Sequence, residues 1–304
     1  MGGAPACLEP QAMWRCQHLL LAALTCAAPS AQLEQRFFDS DGVRICFTVQ
    51  GQGEAVVLLH GFAASLDMMG PLVGSLSKDY RVIAMDVRGH GKSDKPHDPK
   101  QYGTEMVEDV VRLLDHLEIE HAHVVGYSMG GAIGLKLLTT HSDRVLSAVI
   151  GAYGWHRVPE QVGEDLMERV ADSLERGEGF GPLFDALAPS RPEPDPERVA
   201  AATRMVLAAN DVQALAAVAR GFRYLAPTET ALRATGVPTL AIVGESDGLR
   251  PEVERLKGVL SRLELVIVTG TDHISTLTSP DFVAGVKSFL SAHPARRELV
   301  PAGR

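Results

Sequence analysis

Hydrophobic positions along this chain follow two rhythms: short continuous apolar runs, and longer stretches with a 3.6-residue stripe. The runs lie at 55–59 (AVVLL), 81–85, 122–125, 145–150, 239–243 and 263–268. Runs of this length without polar alternation predict strands covered on both faces, as in a parallel sheet. Helix-like segments separate them, at about 68–76, 104–117, from the glycines after Ser128 to Thr140, 251–260 and 280–291. The clearest stripe is Met106, Val107, Val110, Val111, Leu113, Leu114 and Leu117, with Thr104 placed to cap that helix. Ahead of these, 33–38 and the alternating stretch 43–49 predict two strands around Asp39-Ser40-Asp41-Gly42. The Asp-Gly pair there marks a hairpin turn.

Between about 153 and 235 the strand-like runs stop. Helices are predicted at 162–174, 180–187, 197–209 and 212–222, with the proline-rich loop PSRPEPDP at 189–196 interrupting them. Strand–helix alternation on both sides of this block predicts an α/β protein: a doubly wound, mostly parallel sheet with a helical cap inserted between core strands. The expected organisation is a core over 31–152, the cap at 153–235, the rest of the core at 236–292 and a flexible tail at 293–304. No internal repeat or low-complexity tract interrupts it.

The first thirty residues do not fit that alternation. LLLAALTCAA at 19–28 is too short to span a bilayer but suits the apolar region of a signal peptide, with Arg15 as the preceding positive charge. Small residues at Ala28 and Ser30 offer a cleavage site, and a start at Met13 gives a more typical leader than Met1. Residues 1–30 are therefore expected to be a signal peptide or an N-terminal extension. Export to the periplasm or medium follows if the leader functions, and a cytoplasmic place if it does not. No integral membrane span is expected once the leader is removed. Cys7, Cys16 and Cys26 all fall in the leader, which leaves Cys46 without a disulfide partner and suited to packing as a small buried hydrophobe.

Composition adds mainly exclusions. A hydrophobic share of 45% and a charged share of 22% are ordinary for a globular enzyme-sized chain of 304 residues. The net charge of −9, with no basic block, argues against a nucleic-acid partner and leaves a small-molecule substrate as the expected one. His121-x-His123 has a faint metal-ligand look, but no further ligands are spaced to complete a zinc site, so no metal is expected. Gly126, Gly131 and Gly134 do not make a dinucleotide loop, because Ser128 stands among them and no acidic residue ends the strand at 145–150. No cofactor is implied.

In a doubly wound sheet the reactive residues belong at the C-terminal ends of the strands. Those ends read His60-Gly61-Phe62, Asp86, Ser128, Gly151, Glu245-Ser246-Asp247 and Thr271-Asp272-His273. They contain a nucleophile, an acid and a base in the order Ser, Asp, His. Ser128 also sits in Gly126-Tyr127-Ser128-Met129-Gly130, the G-x-S-x-G of a sharp strand-to-helix elbow. With HGF at 60–62, DVRGHGKSD at 86–94, GYSMGG at 126–131, GESD at 244–247 and DH at 272–273, the chain resembles the α/β-hydrolase superfamily over nearly all of 33–292.

The resemblance implies roles that chemistry supports. A serine hydroxyl is nearly inert at neutral pH, so Ser128 needs a base, and His273 is the residue suited to take its proton. Asp247 would hold the imidazole in the right tautomer. The segment 151–157, where some relatives carry the acid, has no Asp or Glu. Asp272 adjoins His273 too closely to reach the far side of its ring and reads as a loop-former. By resemblance the N–H groups of Phe62 and Met129 form the oxyanion hole, and the side chains of Phe62 and Met129 line an acyl pocket. Tyr153 and Trp155, at the start of the cap, are further candidate substrate contacts. His60 is expected to brace its loop, and Asp86 with Arg88-Gly89-His90-Gly91 to form a structural turn.

Ser128 sets aside relatives that attack with an aspartate at the elbow, such as dehalogenases and many epoxide hydrolases. A carboxylic ester hydrolase demands least of such a site, and a lid of small and aliphatic residues suits a modest apolar group. The same triad also serves C–C bond hydrolases, lactonases and cofactor-free perhydrolases. The fold further serves as a non-catalytic ligand-binding receptor.

Overall fold

The first two strands leave almost no turn between them. β1 (Arg36–Ser40) pairs antiparallel with β2 (Val43–Gln50), Ser40 opposite Val43, so that only Asp41 and Gly42 remain in the loop. Both have positive φ, 54° and 81°, the signature of a tight hairpin that follows the strand twist. Asp39 and Ser40 thus belong to the ladder rather than to the turn expected at 39–42. The reason is that Asp-Gly alone supplies both left-handed residues. This computed structural model describes residues 34–155, 162–187 and 196–295. The leader with its three cysteines, the loop at 189–195 and the tail from 296 lie outside the described residues.

The remaining strands are β3 (Ala55–Leu59), β4 (Arg81–Met85), β5 (Ala122–Tyr127), β6 (Val145–Gly151), β7 (Thr239–Gly244) and β8 (Leu263–Val268). All eight form one sheet in the order β1-β2-β4-β3-β5-β6-β7-β8. Only the β1–β2 and β2–β4 pairings are antiparallel; every pairing from β4 to β8 is parallel. Each of β3, β5 and β7 is buried at every position, as continuous apolar strands between two helical layers must be. The edge strand β8 instead alternates partly buried and exposed residues until Val268.

Helices cover both sides. α1 (Gly70–Leu76) follows a 3₁₀ turn at Leu66–Met69, and α2 is Thr104–His116. Thr104 is the first helical residue of α2 rather than its cap. Gly103 takes the cap position at φ 68°, where an added Cβ would press on the Gly221 carbonyl at 2.6 Å. α3 (Met129–Thr140) packs against β5 and β6. Between β6 and β7 come α4 (Val162–Glu175), α5 (Gly181–Leu187), α6 (Pro196–Ala209), α7 (Val212–Gly221) and α8 (Glu229–Ala234). α8 was not expected; at six residues it is too short to show a stripe, although Thr228 caps it by accepting from Ala231 N. α9 (Arg250–Arg255) is shorter than expected because the chain tightens into a 3₁₀ turn at Leu256–Gly258. α10 (Ser275–Thr278) and α11 (Pro280–Ala292) complete the core.

The inserted helices carry an apolar cluster of their own, built on Met167, Val170, Leu174, Phe180, Leu215 and Ala219. Arg220 on α7 bridges to Asp172 and Glu175 on α4, both at 2.8 Å, but these exposed pairs contribute little beyond orientation. Cys46, in β2, is wholly buried, and burial pushes its thiol up to about 12. Among the described residues no helix is long and apolar enough to cross a membrane.

Candidate active site

The strand order places a crevice. After β3 the chain moves to β4 on one side, and then to β5 on the other. The loops leaving β3 and β5 therefore diverge, and ligands of open α/β sheets bind at such a switch point. His60-Gly61-Phe62 leaves β3 there, and Ser128 leaves β5.

Ser128 connects β5 to α3 with φ 55° and ψ −114°, a left-handed conformation rare for a non-glycine residue. Such strain costs roughly 1–3 kcal/mol and persists only where the surroundings enforce it. Here Ser128 N donates to Gly151 O at 2.8 Å and Ala132 N donates to Ser128 O at 3.0 Å. The flanking glycines make the turn sterically possible. A Cβ on Gly126 would overlap the Gly130 carbonyl, and one on Gly130 would overlap the Leu59 carbonyl. Because both obstacles are backbone, Gly130→Ala is expected to destabilise the protein by about 2 kcal/mol or more. Thermal unfolding measures this, and an unchanged Tm would show that α3 can draw back from β3.

His273 and Asp247 arrive from the loops after β8 and β7. Asp247 Oδ2 lies 2.9 Å from His273 Nδ1, and His273 Nε2 lies 3.0 Å from Ser128 Oγ. A carboxylate only accepts, so Nδ1 carries the proton and Nε2 is left to accept from the serine hydroxyl. Asp247 Oδ1 accepts from Leu249 N at 2.8 Å, which fixes the carboxylate plane. Both residues are nearly buried. Asp272 turns away from the ring into its own loop, accepting from Ile274 N, Ser275 N and Ser275 Oγ. Tyr127 was not singled out from sequence, yet its hydroxyl donates to the His273 carbonyl at 2.6 Å. Its position inside G-x-S-x-G conceals that role, since β5 turns Tyr127 to the opposite face from its neighbours.

The loop after β3 is braced from beneath. His60 Nδ1 donates to Gly61 O at 2.7 Å, while His60 Nε2 accepts from Val87 N at 3.0 Å. Gly61 C=O and Phe62 N–H share one peptide plane and point in opposite directions, so the clasp on the carbonyl aims the amide. Among the described residues, no backbone hydrogen bond of the turns, loops and caps uses Phe62 N or Met129 N. Met129 N also opens α3, where the helix dipole favours negative charge. A Cβ on Gly61 would sit 3.6 Å from Ser128 Cβ and equally far from Met68 Sδ, so Met68 and Ser128 flank the same glycine.

The Phe62 ring meets His90 edge-on at 5.9 Å and Phe180 of the inserted helices at 6.1 Å. Phe180 continues to the partly exposed Phe184 at 6.2 Å, so an aromatic wall runs from the loop toward solvent. The Met129 side chain is buried within the main core cluster. Tyr153 packs on the first turn of α3, its Cβ 2.9 Å from a Cβ built on Gly131, and meets Phe222 at 6.1 Å. Trp155 is buried beside α9, its backbone N–H donating to Glu252 O at 3.1 Å. Thus Ser128, His273, Asp247 and the Phe62 loop come together, Tyr153 packs on the first turn of α3, and Trp155 packs into the core.

The turn at 86–94 is anchored throughout. Asp86 accepts from Leu66 N at 2.7 Å and from Lys92 N at 2.8 Å. Arg88 is buried with both oxygens of Asp109 at 2.6 Å. His90 donates from Nδ1 to Arg88 O at 3.1 Å, and its buried Nε2 has no hydrogen-bond partner among the described residues. Burial lowers the imidazole of His90 to about 3, and burial likewise lowers His60. The unfolded chain then binds more protons than the folded one below the ordinary histidine value of about 6.5. Stability from these groups is full above that pH and declines as pH falls toward 3, by about 1.4 kcal/mol per pH unit for one proton. Urea unfolding at pH 7 and pH 5 should show this loss, and His90→Asn, which keeps a donor near Nδ1, should reduce the slope by one proton. An equal slope in both proteins would place the uptake elsewhere.

His121 and His123 do not share a ligand direction. His121 Nδ1 faces Asp143 O at 2.7 Å, and His123, buried in β5, meets Ser147 Oγ at 2.8 Å and Glu54 at 3.3 Å. Among the described residues no group of three or more His, Cys, Asp or Glu is arranged to hold a metal ion.

Known proteins share this architecture. Residues 54–180 match the family model described as the alpha/beta hydrolase fold. Over 119 residues the chain is 39% identical to the dihydrolipoyllysine-residue acetyltransferase component of the acetoin cleaving system of Cupriavidus necator, covering 38% of this chain and 31% of that protein. It is 38% identical over 96 residues to esterase YbfF of Escherichia coli, covering 32% of this chain and 37% of that one. The chain thus spans less than half the length of the curated relatives it matches. The crystal structure of the enol-lactonase from Burkholderia xenovorans LB400 superimposes with a TM-score of 0.69 at 26% identity, over 84% of this chain and 100% of that one. The sequence of residues 54–180 and the fold of the described residues are those of the α/β-hydrolase superfamily.

Proposed function

We propose that this protein is a serine hydrolase that cleaves a small, fairly apolar carboxylic ester through an acyl-enzyme intermediate. The observation that carries the reading is the continuous hydrogen-bonded chain from Ser128 through His273 to Asp247, set on a strained elbow. Ser128 Oγ attacks the ester carbonyl carbon while its proton passes to His273 Nε2. The oxyanion that forms is met by the N–H groups of Phe62 and Met129. Collapse breaks the carbon–oxygen bond, and the alkoxide leaves with the proton held by His273. Water then repeats the sequence on the acyl-serine, with His273 first as base and then as acid. The aromatic wall of Phe62, Phe180 and Phe184 supports an apolar group on the substrate.

A lactone is a cyclic ester and passes through the same steps, its leaving alcohol staying attached to the acyl group. Likeness to the enol-lactonase favours including this subclass. The test is hydrolysis of short p-nitrophenyl esters together with simple lactones, with intact mass recorded on rapid quenching. Nitrophenol release with an acyl mass on the fragment containing Ser128 is the expected result. No turnover of any ester or lactone would overturn the reading and favour a binding protein.

A further inference from the structure

We infer that Asn210, which belongs to the inserted helices, is a positioning residue for the oxyanion site, holding the loop that carries the Phe62 N–H. The inference rests on the serine-hydrolase reading above. Its starting point is Ala63, whose φ of 57° is left-handed. Ala63 is the third residue of the turn that begins at Gly61 and is closed by Ala64 N donating to Gly61 O at 3.3 Å. A positive φ at that place in a turn normally calls for glycine. With alanine, this turn costs energy on its own and needs an outside restraint. The turn matters because the carbonyl it engages, Gly61 O, lies in the same peptide plane as Phe62 N–H.

Asn210 supplies the restraint. It stands in the two-residue junction between α6 and α7, and its Nδ2 donates to Ala63 O at 3.3 Å and to Val206 O at 2.9 Å. Both acceptors are carbonyls, so the amide nitrogen must face them, and a carboxylate in its place would have nothing to donate. Asp211 fixes the junction itself: Oδ1 accepts from Ala214 N at 3.0 Å to cap α7, and Oδ2 meets His97 Nε2 at 2.9 Å. Phe62 and Ala63 also pack against the apolar cluster of the inserted helices. The insertion therefore grips the loop at its strained residue, and Asn210 is the polar part of that grip.

The test is a mutant cycle read by steady-state ester hydrolysis. Asn210→Ala is expected to lower kcat about tenfold, a fraction of the loss of a whole oxyanion donor, with KM within about twofold. Asn210→Asp should lose at least as much. Asn210→Ala made in an Ala63→Gly background should change the kcat of that background by less than about twofold, because glycine holds the turn without help. Wild-type kcat in Asn210→Ala would overturn the inference. So would an equal drop in the Ala63→Gly background, or one confined to KM and Tm, which would mark Asn210 as part of the cap's packing alone. If wild type itself turns over no ester, the hydrolase reading fails and this inference with it; an active wild type with an indifferent Asn210 removes only the inference.

Discussion

Replacing Ser128 by alanine is expected to lower kcat on p-nitrophenyl esters by about four to six orders of magnitude. The loss is that large because the proposed acyl-enzyme forms on the oxygen that is then gone. The His273–Asp247 pair has nothing left to activate except water, at an elbow not built to hold it. The fold should survive, since alanine keeps the Cβ and imposes no new contact. Ser128→Gly separates the two consequences of this position. It should be equally inactive, yet more stable than wild type by about 1 kcal/mol, because a residue at φ 55° then costs nothing. Stopped assays and thermal unfolding on the three proteins check both statements. Comparable turnover in Ser128→Ala would remove the nucleophile from Ser128.

Asp247→Asn is expected to cost about 10⁴ in kcat with an intact fold. The magnitude follows from hydrogen-bond roles. Leu249 N donates to Oδ1 of residue 247, so an asparagine would keep its oxygen there and turn its amide nitrogen toward His273. That nitrogen donates, which forces His273 Nδ1 to accept and moves the ring proton to Nε2. A protonated Nε2 then faces Ser128 Oγ, and the base is lost although every heavy atom stays in place. Turnover within tenfold of wild type would mean that another carboxylate orients the ring.

Most of what places Ser128 was legible in the chain. AVVLL at 55–59 and the glycines at 126 and 130 are local signals that state their own geometry, and the Ser, Asp, His order is read from the ends of successive strands. The sheet order was not, because nothing in a strand says which neighbour it will find. The crevice between β3 and β5 emerged only once β4 was seen to lie beyond β3. Thr104 looked like a cap because sequence shows residue preference but not φ, and Gly103 held the required conformation. The roles of Tyr127 and Asn210 carried no local signal, although Tyr127 stands inside G-x-S-x-G. Each acts through one contact to a residue remote in sequence, Tyr127 to His273 across 146 positions and Asn210 to Ala63 across 147. Asp272 shows the converse: its tie to Ile274 and Ser275 is local, and its role as a loop-former could be read directly.

The insertion between β6 and β7 separates Ser128 from its partners by more than the length of the helices themselves. Ser128 and its elbow lie before the insertion, whereas Asp247 and His273 lie after it, with 145 positions between Ser128 and His273. A chain emerging from the ribosome can thus complete β3, β5 and α3 and display a strained serine long before its base exists. Under the proposed mechanism the serine gains its base only when β8 has added to β7 and the loop that carries His273 is in place. Until then Ser128 is expected to be an ordinary, unreactive alcohol.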